Sequence, residues 1–138
     1  MAAMAEFNRK IMEEFHANGG KVGGQFAGAP MLLLTTTGAK TGRSFTTPLV
    51  YSKDGDRFVI IASKAGAPTN PAWYHNLLAH PTVTVEIGTD KFQVKATPAK
   101  GDERERLFNQ QAKAMPAFDE YRKKTTRQIP VIILERVK

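Results

Sequence analysis

The sequence predicts a mainly β protein of the α+β class. We expect a small barrel of about six short, mostly antiparallel strands, with an N-terminal helix and short inserted helices. From residue 31 onward, apolar and polar residues alternate in short segments separated by turns that contain glycine. Apolar residues at helical spacing occur near the N-terminus and again late in the chain. Many short strands joined by tight turns are typical of a small barrel.

The first predicted element is an amphipathic helix over residues 5–17. Ile11, Met12 and Phe15 recur at near-helical spacing, and an Asn-Gly-Gly sequence ends the helix. The glycine-rich stretch that follows reads as a connector to the barrel. This helix could pack on the barrel, or it could cover a substrate pocket or touch a membrane.

The predicted strands follow from alternation and from the turns between them. Pro48 requires that its strand lie at a sheet edge or a bulge, because proline cannot donate to a ladder. A hairpin turn is expected at residues 53–56. The predicted strands cover residues 31–37, 45–52, 57–63, 82–87, 91–97 and 130–135.

Three further helices are predicted inside the barrel sequence. Pro71 suits the first residue of a helix over residues 71–79, with Asn70 as its N-cap. A second helix opens at residues 101–102, and a short third one holds Phe118 and Tyr121.

Composition restricts the class of protein. A length of 138 residues predicts one domain, which we divide into the helix and connector (residues 1–30) and the barrel (residues 31–138). The chain has no cysteine, which excludes disulfides, thiolate metal sites and a cysteine nucleophile. No apolar run approaches the roughly 20 residues that span a bilayer, and the N-terminus does not resemble a cleavable signal. A cytoplasmic location is therefore expected.

The net charge of +7 favours anionic partners. The most informative place for such a partner is residues 38–44, GAKTGRS, between two apolar strands. Glycines let the backbone approach a ligand, and Lys40 and Arg43 add two cations, as phosphate binding requires. The segment is not a Walker loop, since the Gly-Lys-Ser/Thr ending is missing and a strand follows it. The alternative is an ordinary polar hairpin loop.

Residues 62–76, ASKAGAPTNPAWYHN, read as a ring-binding segment. Ser63 can donate a hydrogen bond and Lys64 adds a cation. Trp73 and Asn76 lie three residues apart on one helical face, so Trp73 could stack on a flat ring while Asn76 bonds to its edge. The alternatives are a surface turn for the first part and a core position for Trp73.

Other chemistries are less well supported. No Ser-His-Asp set and no working pair of carboxylates can be assembled, so we expect any difficult chemistry to come from a cofactor. His75 and His80 do not share a helical face and have no carboxylate cluster beside them, so no metal site is predicted. The basic run at residues 122–124 reads as a solvated face, and aromatic residues do not interleave with it as nucleic-acid binding requires.

Three runs together resemble the deazaflavin-dependent nitroreductase family: LLLTTTGAKTGRSFTTPLVY, ASKAGAPTNPAWYHNLLAHPTVTVEIG and YRKKTTRQIPVIILER. The resemblance spans residues 31–136 and implies a split, FMN-binding-like β-barrel that uses coenzyme F420. This cofactor carries a phosphate and a polyglutamate tail, which accounts for the positive charge. The implied cofactor-binding residues are Ala39, Lys40, Thr41, Arg43, Phe45, Thr46, Thr47, Pro48, Leu49, Val50, Ile61, Ala62, Ser63, Lys64, Ala72, Trp73, Tyr74, His75 and Asn76.

The resemblance also implies which residues surround the molecule that accepts the hydride, here called the acceptor side. Ser63 and Tyr121 are the implied catalytic residues, and Met115, Phe118 and Tyr121 the implied substrate-binding patch. Family members that activate nitroimidazoles carry several tyrosines in this patch, whereas here only Tyr121 has a hydroxyl. We therefore expect hydride transfer to a quinone or an activated enone more than to a nitro compound.

Two alternatives stay open. The same barrel could hold FMN as a flavin reductase, or it could carry F420 or a lipid-like ligand without catalysis. Split barrels often form homodimers, and a menaquinone acceptor would bring the protein to the inner face of the cell membrane as a peripheral contact. No nucleic-acid partner is expected.

Overall fold

The structure is a computed structural model of the 138-residue chain. It describes residues 2–20, 30–63, 70–125 and 128–137, and within the first helix it describes side chains from residue 8 onward. Among these residues, four helices and seven strands follow one another along the chain. They are α1 (Ala2–Ala17), β1 (Met31–Thr37), β2 (Ser44–Val50), β3 (Ser52–Asp54), β4 (Arg57–Ile61), α2 (Ala72–Ala79), β5 (Thr82–Ile87), β6 (Asp90–Pro98), α3 (Gly101–Ala114), α4 (Ala117–Lys124) and β7 (Val131–Arg136).

Two local predictions differ from the structure. The strand predicted over residues 45–52 is divided at Tyr51 into β2 and β3, and the two parts pair with different strands, β2 with β1 and β3 with β4. The N-cap of α2 is Pro71 in an extended conformation, without a side-chain capping bond, so the prediction of an Asn70 cap was wrong.

The seven strands form one sheet in the order β2-β1-β5-β6-β7-β4-β3, and neighbouring strands pair antiparallel. The two edge strands, β2 and β3, are separated in sequence by Tyr51 alone. A sheet whose opposite edges are joined by one residue must curl until those edges approach each other. The result is a curled, antiparallel half-barrel, which confirms the predicted fold class.

The strand β1 shows why its sequence is a continuous apolar run. Leu32 and Leu34 face the inside of the curl, and Met31 and Leu33 face outward beneath α1. Successive side chains of a strand point to opposite faces, so a strand covered on both faces needs apolar residues throughout. Phe15 of α1 is buried against this outer side.

This arrangement gives the apolar face of α1 a partner within the chain. Ile11 and Met12 are partly buried with Phe15, which favours packing on the barrel over contact with a membrane. His16 Nε2 lies 2.9 Å from Glu86 Oε1 of β5 and adds a polar contact at the end of the helix. In the part of the chain that the structure describes, no helix is long and apolar enough to cross a bilayer.

Two apolar clusters lie on the two faces of the sheet. The inner cluster fills the curl and contains Leu32, Leu34, Ile60, Ala62, Trp73, Leu77, Val83, Val85, Val94, Ala96, Ile132 and Leu134. The outer cluster joins β4 and β7 to α3 and α4 and contains Val59, Ile61, Leu107, Phe108, Ala112, Phe118, Ile129, Val131 and Ile133.

Polar contacts attach α3 to the β3–β4 hairpin. Arg106 donates to both Asp54 carboxylate oxygens, at 3.0 and 3.2 Å, and Arg57 bridges Asp54 and Glu103. Hydrogen bonds from Arg106 and then Arg57 lower the pKa of Asp54 from its ordinary 3.8 to about 2. The Gln110 amide donates to the Lys53 carbonyl at 2.8 Å. These contacts hold α3 across the outer face of β3 and β4.

Candidate active site

A cavity of about 740 Å³ opens between the β1–β2 loop (residues 38–43) and α2. Nine of its ten described lining residues belong to the predicted cofactor set, and Gly38 is the addition. The lining residues are Gly38, Ala39, Lys40, Thr41, Phe45, Thr47, Ala72, Trp73, His75 and Asn76. The structure therefore brings together the two segments that the sequence analysis selected independently.

The β1–β2 loop is closed by its own hydrogen bonds. The Gly38 N–H donates to the Arg43 carbonyl at 2.7 Å, and the Gly42 N–H donates to the Gly38 carbonyl at 3.0 Å. The Arg43 N–H donates to Thr41 Oγ1 at 3.3 Å. Gly42 has a φ of +71°, a conformation that glycine adopts without the steric cost of a side chain. The loop is thus a compact turn with a defined shape.

Position 38 requires glycine because the side chains of Thr41 and Phe45 approach its Cα closely. A Cβ at this position would lie 2.6 Å from Thr41 Oγ1 and 2.8 Å from Phe45 Cε2, both too short for real contacts. The sequence analysis did not single out Gly38, because the contact with Phe45 arises only when the hairpin places the two residues together. The available signal was a glycine directly after the last residue of a strand.

Asn76 connects α2 to this loop. Its Oδ1 accepts from the Ala39 N–H at 3.0 Å, and its Nδ2 donates to Thr36 Oγ1 at 3.1 Å. Asn76 lines the cavity, but each end of its amide bonds to the protein. The sequence analysis expected this side chain to bond to the edge of a ring, and it did not anticipate the contact with Thr36.

The two cations of the β1–β2 loop, of which Lys40 lines the cavity, have no acidic partner among the described residues. Lys40 and Arg43 are exposed, and neither forms an ion pair with a carboxylate in the described parts of the chain. No acidic residue is among the lining residues named above. Two backbone donors of the loop, the N–H groups of Lys40 and Thr41, make no hydrogen bond to a described residue. This arrangement suits an anionic group.

The basic run after residue 121 is different. Arg122 pairs with Asp119, and Lys123 Nζ lies 3.6 Å from Glu120 Oε1, so these charges are partly neutralised along one face of α4. That pattern agrees with the predicted solvated face. Lys64, a further cation named in the sequence analysis, lies outside the described residues.

Aromatic side chains form the walls of the cavity. Trp73 is only 7% exposed and belongs to the inner cluster, which confirms the core position; it also lines the cavity, and its stacking on a ring stays a prediction. Phe45 is 46% exposed at the cavity rim. Tyr74 packs edge to face with His75, with ring centroids 5.5 Å apart. A flat aromatic ligand could therefore contact apolar surface near the anion-binding loop.

The remaining predicted residues of β2 lie beside the cavity. Thr46 Oγ1 is 2.8 Å from Thr35 Oγ1, and Pro48, Leu49 and Val50 pair with β1. Since β2 is an edge strand, one side of its backbone has no neighbouring strand among the described residues. The prediction that Pro48 lies at a sheet edge is confirmed.

Of the predicted acceptor-side residues, Met115, Phe118 and Tyr121 lie in or against the outer cluster. Ser63 is 8% exposed and follows β4. Continuing the alternation of Val59 and Ile61 would direct it toward α4. Phe118 is buried there with its ring 5.4 Å from that of Tyr121, and Met115 is partly buried beside them. These residues do not line the cavity among the described residues, while Ile61 and Ala62 are core positions.

Comparison with known proteins gives one consistent family. A family model described as F420H(2)-dependent quinone reductase matches residues 7–136. An F420H(2)-dependent quinone reductase of Mycobacterium tuberculosis is 40% identical over 128 residues, which cover 88% of this chain and 85% of the relative.

Solved structures agree with this result. A structure described as an F420H2-dependent reductase has a TM-score of 0.71 and 40% identity, covering 77% of this chain and 94% of its own. A structure described as a domain-swapped dimer has a TM-score of 0.73 and 36% identity, covering 95% of this chain and 98% of its own. A haem storage protein of Vibrio cholerae, at 14% identity and a TM-score of 0.60, shares the fold alone.

Proposed function

Because this chain belongs to the F420H(2)-dependent quinone reductase family, it is an oxidoreductase, and we propose that the cavity between the β1–β2 loop and α2 is its F420 site. The observation that carries this proposal is a cavity with aromatic walls that is lined by Lys40 and closed on one side by a loop that also carries Arg43, neither cation having a carboxylate partner among the described residues. Reduced F420, when bound, supplies a hydride. The protein supplies binding, orientation and exclusion of water.

The described residues fit this cofactor. A cavity of about 740 Å³ lies within the range of roughly 300–1,000 Å³ that is typical of small-molecule sites. Lys40 and Arg43 would hold the phosphate, together with the N–H groups of Lys40 and Thr41. Lys64, which lies outside the described residues, is proposed from the sequence alone as a further cation for the anionic tail.

Apolar side chains would hold the ring. Phe45 and Trp73 offer apolar area, and Thr47, Ala72 and His75 complete the lining. We assign the edge backbone of β2, residues 46–50, to the polar end of the ring. Ala62 and Tyr74 pack in or against the inner cluster that also contains Trp73, whereas Ile61 belongs to the outer cluster.

On the acceptor side, we propose that Ser63 donates its hydroxyl hydrogen to the oxygen of a quinone or enone. A donor aimed at a developing negative charge stabilises the transition state. Tyr121 is the proposed proton source, and Met115 and Phe118 provide apolar contact for the acceptor. A nitro compound is a less favourable acceptor, since Phe118 cannot donate a hydrogen bond.

The first experiment titrates the purified protein with F420 and FMN side by side and then adds menadione to the complex with reduced F420. We expect F420 binding and acceptor-dependent oxidation. Binding of FMN alone would contradict the cofactor assignment, and F420 binding without oxidation would favour a carrier.

Replacement of Lys40 by alanine tests the phosphate site. We expect the F420 affinity to fall by about 1–3 kcal/mol, which is roughly 5- to 150-fold, because a charge-assisted contact is lost. The matched control is Lys123→Ala, which removes a cation that is paired with Glu120 outside the cavity. Fluorescence titration measures both, and equal affinities for the two variants would contradict the phosphate site.

Replacement of Ser63 by alanine tests the catalytic assignment. We expect kcat to fall by roughly 10- to 100-fold while the F420 Kd changes by less than about twofold. Ser52→Ala is the control, since Ser52 lies on β3 and its hydroxyl has no hydrogen-bond partner among the described residues. A parallel loss of kcat and F420 affinity would instead assign Ser63 to the cofactor.

We also propose a homodimer as the assembly in solution. The support is the solved relative described as a domain-swapped dimer, at 36% identity over most of both chains. Sedimentation of the purified protein measures this directly. The cytoplasm stays the expected compartment, and the packing of α1 on the barrel gives no support to a membrane contact.

A further inference from the structure

Half of the N–H groups of the β1–β2 loop are used within the loop itself. The N–H groups of Gly38, Gly42 and Arg43 all donate within the loop. The N–H of Ala39 instead donates across 37 positions of sequence to Asn76 Oδ1 on α2. This bond ties the loop to the helix that carries the aromatic wall of the cavity.

The second end of the Asn76 amide, its NH₂ group, is also bonded to the protein. Its Nδ2 donates to the hydroxyl of Thr36, which is 2% exposed and does not line the cavity. Rotating the amide by half a turn would point Nδ2 at the Ala39 N–H, so that two donors would face each other. Thr36, Asn76 and Ala39 therefore form a chain of hydrogen bonds with one favourable orientation.

We propose that Asn76 is a positioning residue, which shapes the phosphate-binding loop through Ala39 and does not act by contact with the ring. Because the Ala39 N–H is taken up by Asn76, the loop has the N–H groups of Lys40 and Thr41 left for an anion. This inference rests on the proposed F420 site.

Because Asn76 and Trp73 both lie on α2, this helix also affects how the two ends of the ligand are held. Trp73, one helical turn earlier, is fixed in the inner cluster and lines the ring end of the cavity. Asn76 fixes the loop at the other end. The helix α2 thereby sets the separation between the proposed ring contact and the proposed phosphate contact, so both ends of one ligand are positioned by the same element.

The test compares two ligands that share the ring. One is F420, and the other is the deazaflavin nucleoside that lacks the phosphate and the tail. We expect Asn76→Ala to weaken F420 binding by roughly tenfold and to leave the nucleoside affinity within about twofold, because only the loop is disturbed. Equal weakening of both ligands would mean direct contact with the ring and would overturn the inference.

Thr36 provides the matched variants. Thr36→Val removes the hydroxyl at nearly constant volume, and we expect it to weaken F420 binding in the same direction as Asn76→Ala, with the nucleoside again unaffected. Thr36→Ser keeps the hydroxyl and should retain wild-type affinity. An unchanged F420 affinity in Thr36→Val would overturn the inference, since the hydroxyl that this variant removes is the partner of Asn76 Nδ2 and Thr36 is outside the described lining.

Hydrogen exchange gives a readout without ligand. We expect backbone amides of residues 38–43 to exchange faster in Asn76→Ala than in the wild-type protein, and unchanged exchange would overturn the inference. Failure of the wild-type protein to bind F420 would overturn the proposed function and this inference with it. Wild-type binding that both variants leave intact overturns the inference alone.

Discussion

Replacing Gly38 with valine is expected to weaken F420 binding by more than about 100-fold, the largest loss among the cavity variants. Even a single added carbon would lie 2.6 Å from Thr41 Oγ1 and 2.8 Å from Phe45 Cε2. Thr41 cannot move without losing the hydrogen bond that its oxygen accepts from the Arg43 N–H. Phe45 would have to swing into the cavity or away from it. Either movement deforms the proposed phosphate loop.

The size of the effect should follow the size of the side chain. Gly38→Ala should weaken binding in the same direction but less than valine does. Gly55→Ala is the control, because Gly55 has a φ of +63° in a turn outside the cavity and open space around its Cα. It should lower stability by about 1–2 kcal/mol and leave F420 affinity unchanged. Wild-type affinity in Gly38→Val would contradict the assignment of the cavity.

Short-range patterns in the sequence accounted for most of the cavity. The alternation in residues 31–50 predicts two strands, and the glycines and cations between them predict a ligand-binding turn. The pairing of Thr37 with Ser44 closes that turn as expected. These features depend on neighbours within a few positions, which a single sequence displays directly.

Contacts between distant segments account for what the sequence could not predict. The role of Asn76 depends on Ala39, which lies 37 positions away, and helical spacing indicates only which face of α2 it occupies. The predicted strand 45–52 is divided at Tyr51 because its first part pairs with β1 and its last part with β4.

Replacing Gln111 with methionine is expected to stabilise the protein by about 1–3 kcal/mol, the largest gain among the variants considered. Gln111 is 1% exposed on α3, and neither Nε2 nor Oε1 has a hydrogen-bond partner among the described residues. Leu107 and Phe108, on the preceding turn of α3, belong to the outer cluster, and Met115 packs against that cluster one turn later. An unpaired buried amide costs free energy, and methionine fills a similar volume without a polar group.

The neighbouring residue Gln110 provides a matched control, for which we expect the opposite change in stability. Gln110 Nε2 donates to the Lys53 carbonyl at 2.8 Å, so Gln110→Met should lower the free energy of unfolding by about 0.5–1.5 kcal/mol. Urea unfolding of both variants measures the difference. A loss of stability in Gln111→Met would mean that the buried amide is paired in solution, because replacing a satisfied amide is destabilising.

The kinetics of Gln111→Met connect this core position to the residues proposed to bind the acceptor. Gln111 lies one helical turn from Met115, within the group that also contains Phe118 and Tyr121. If its amide serves only packing, Gln111→Met gains stability and keeps kcat and KM. If the amide is held unpaired for the acceptor, stability rises while kcat falls, since polar groups that cost stability tend to be retained where function needs them. Whether kcat stays unchanged or falls in Gln111→Met therefore distinguishes a packing defect from a functional polar group.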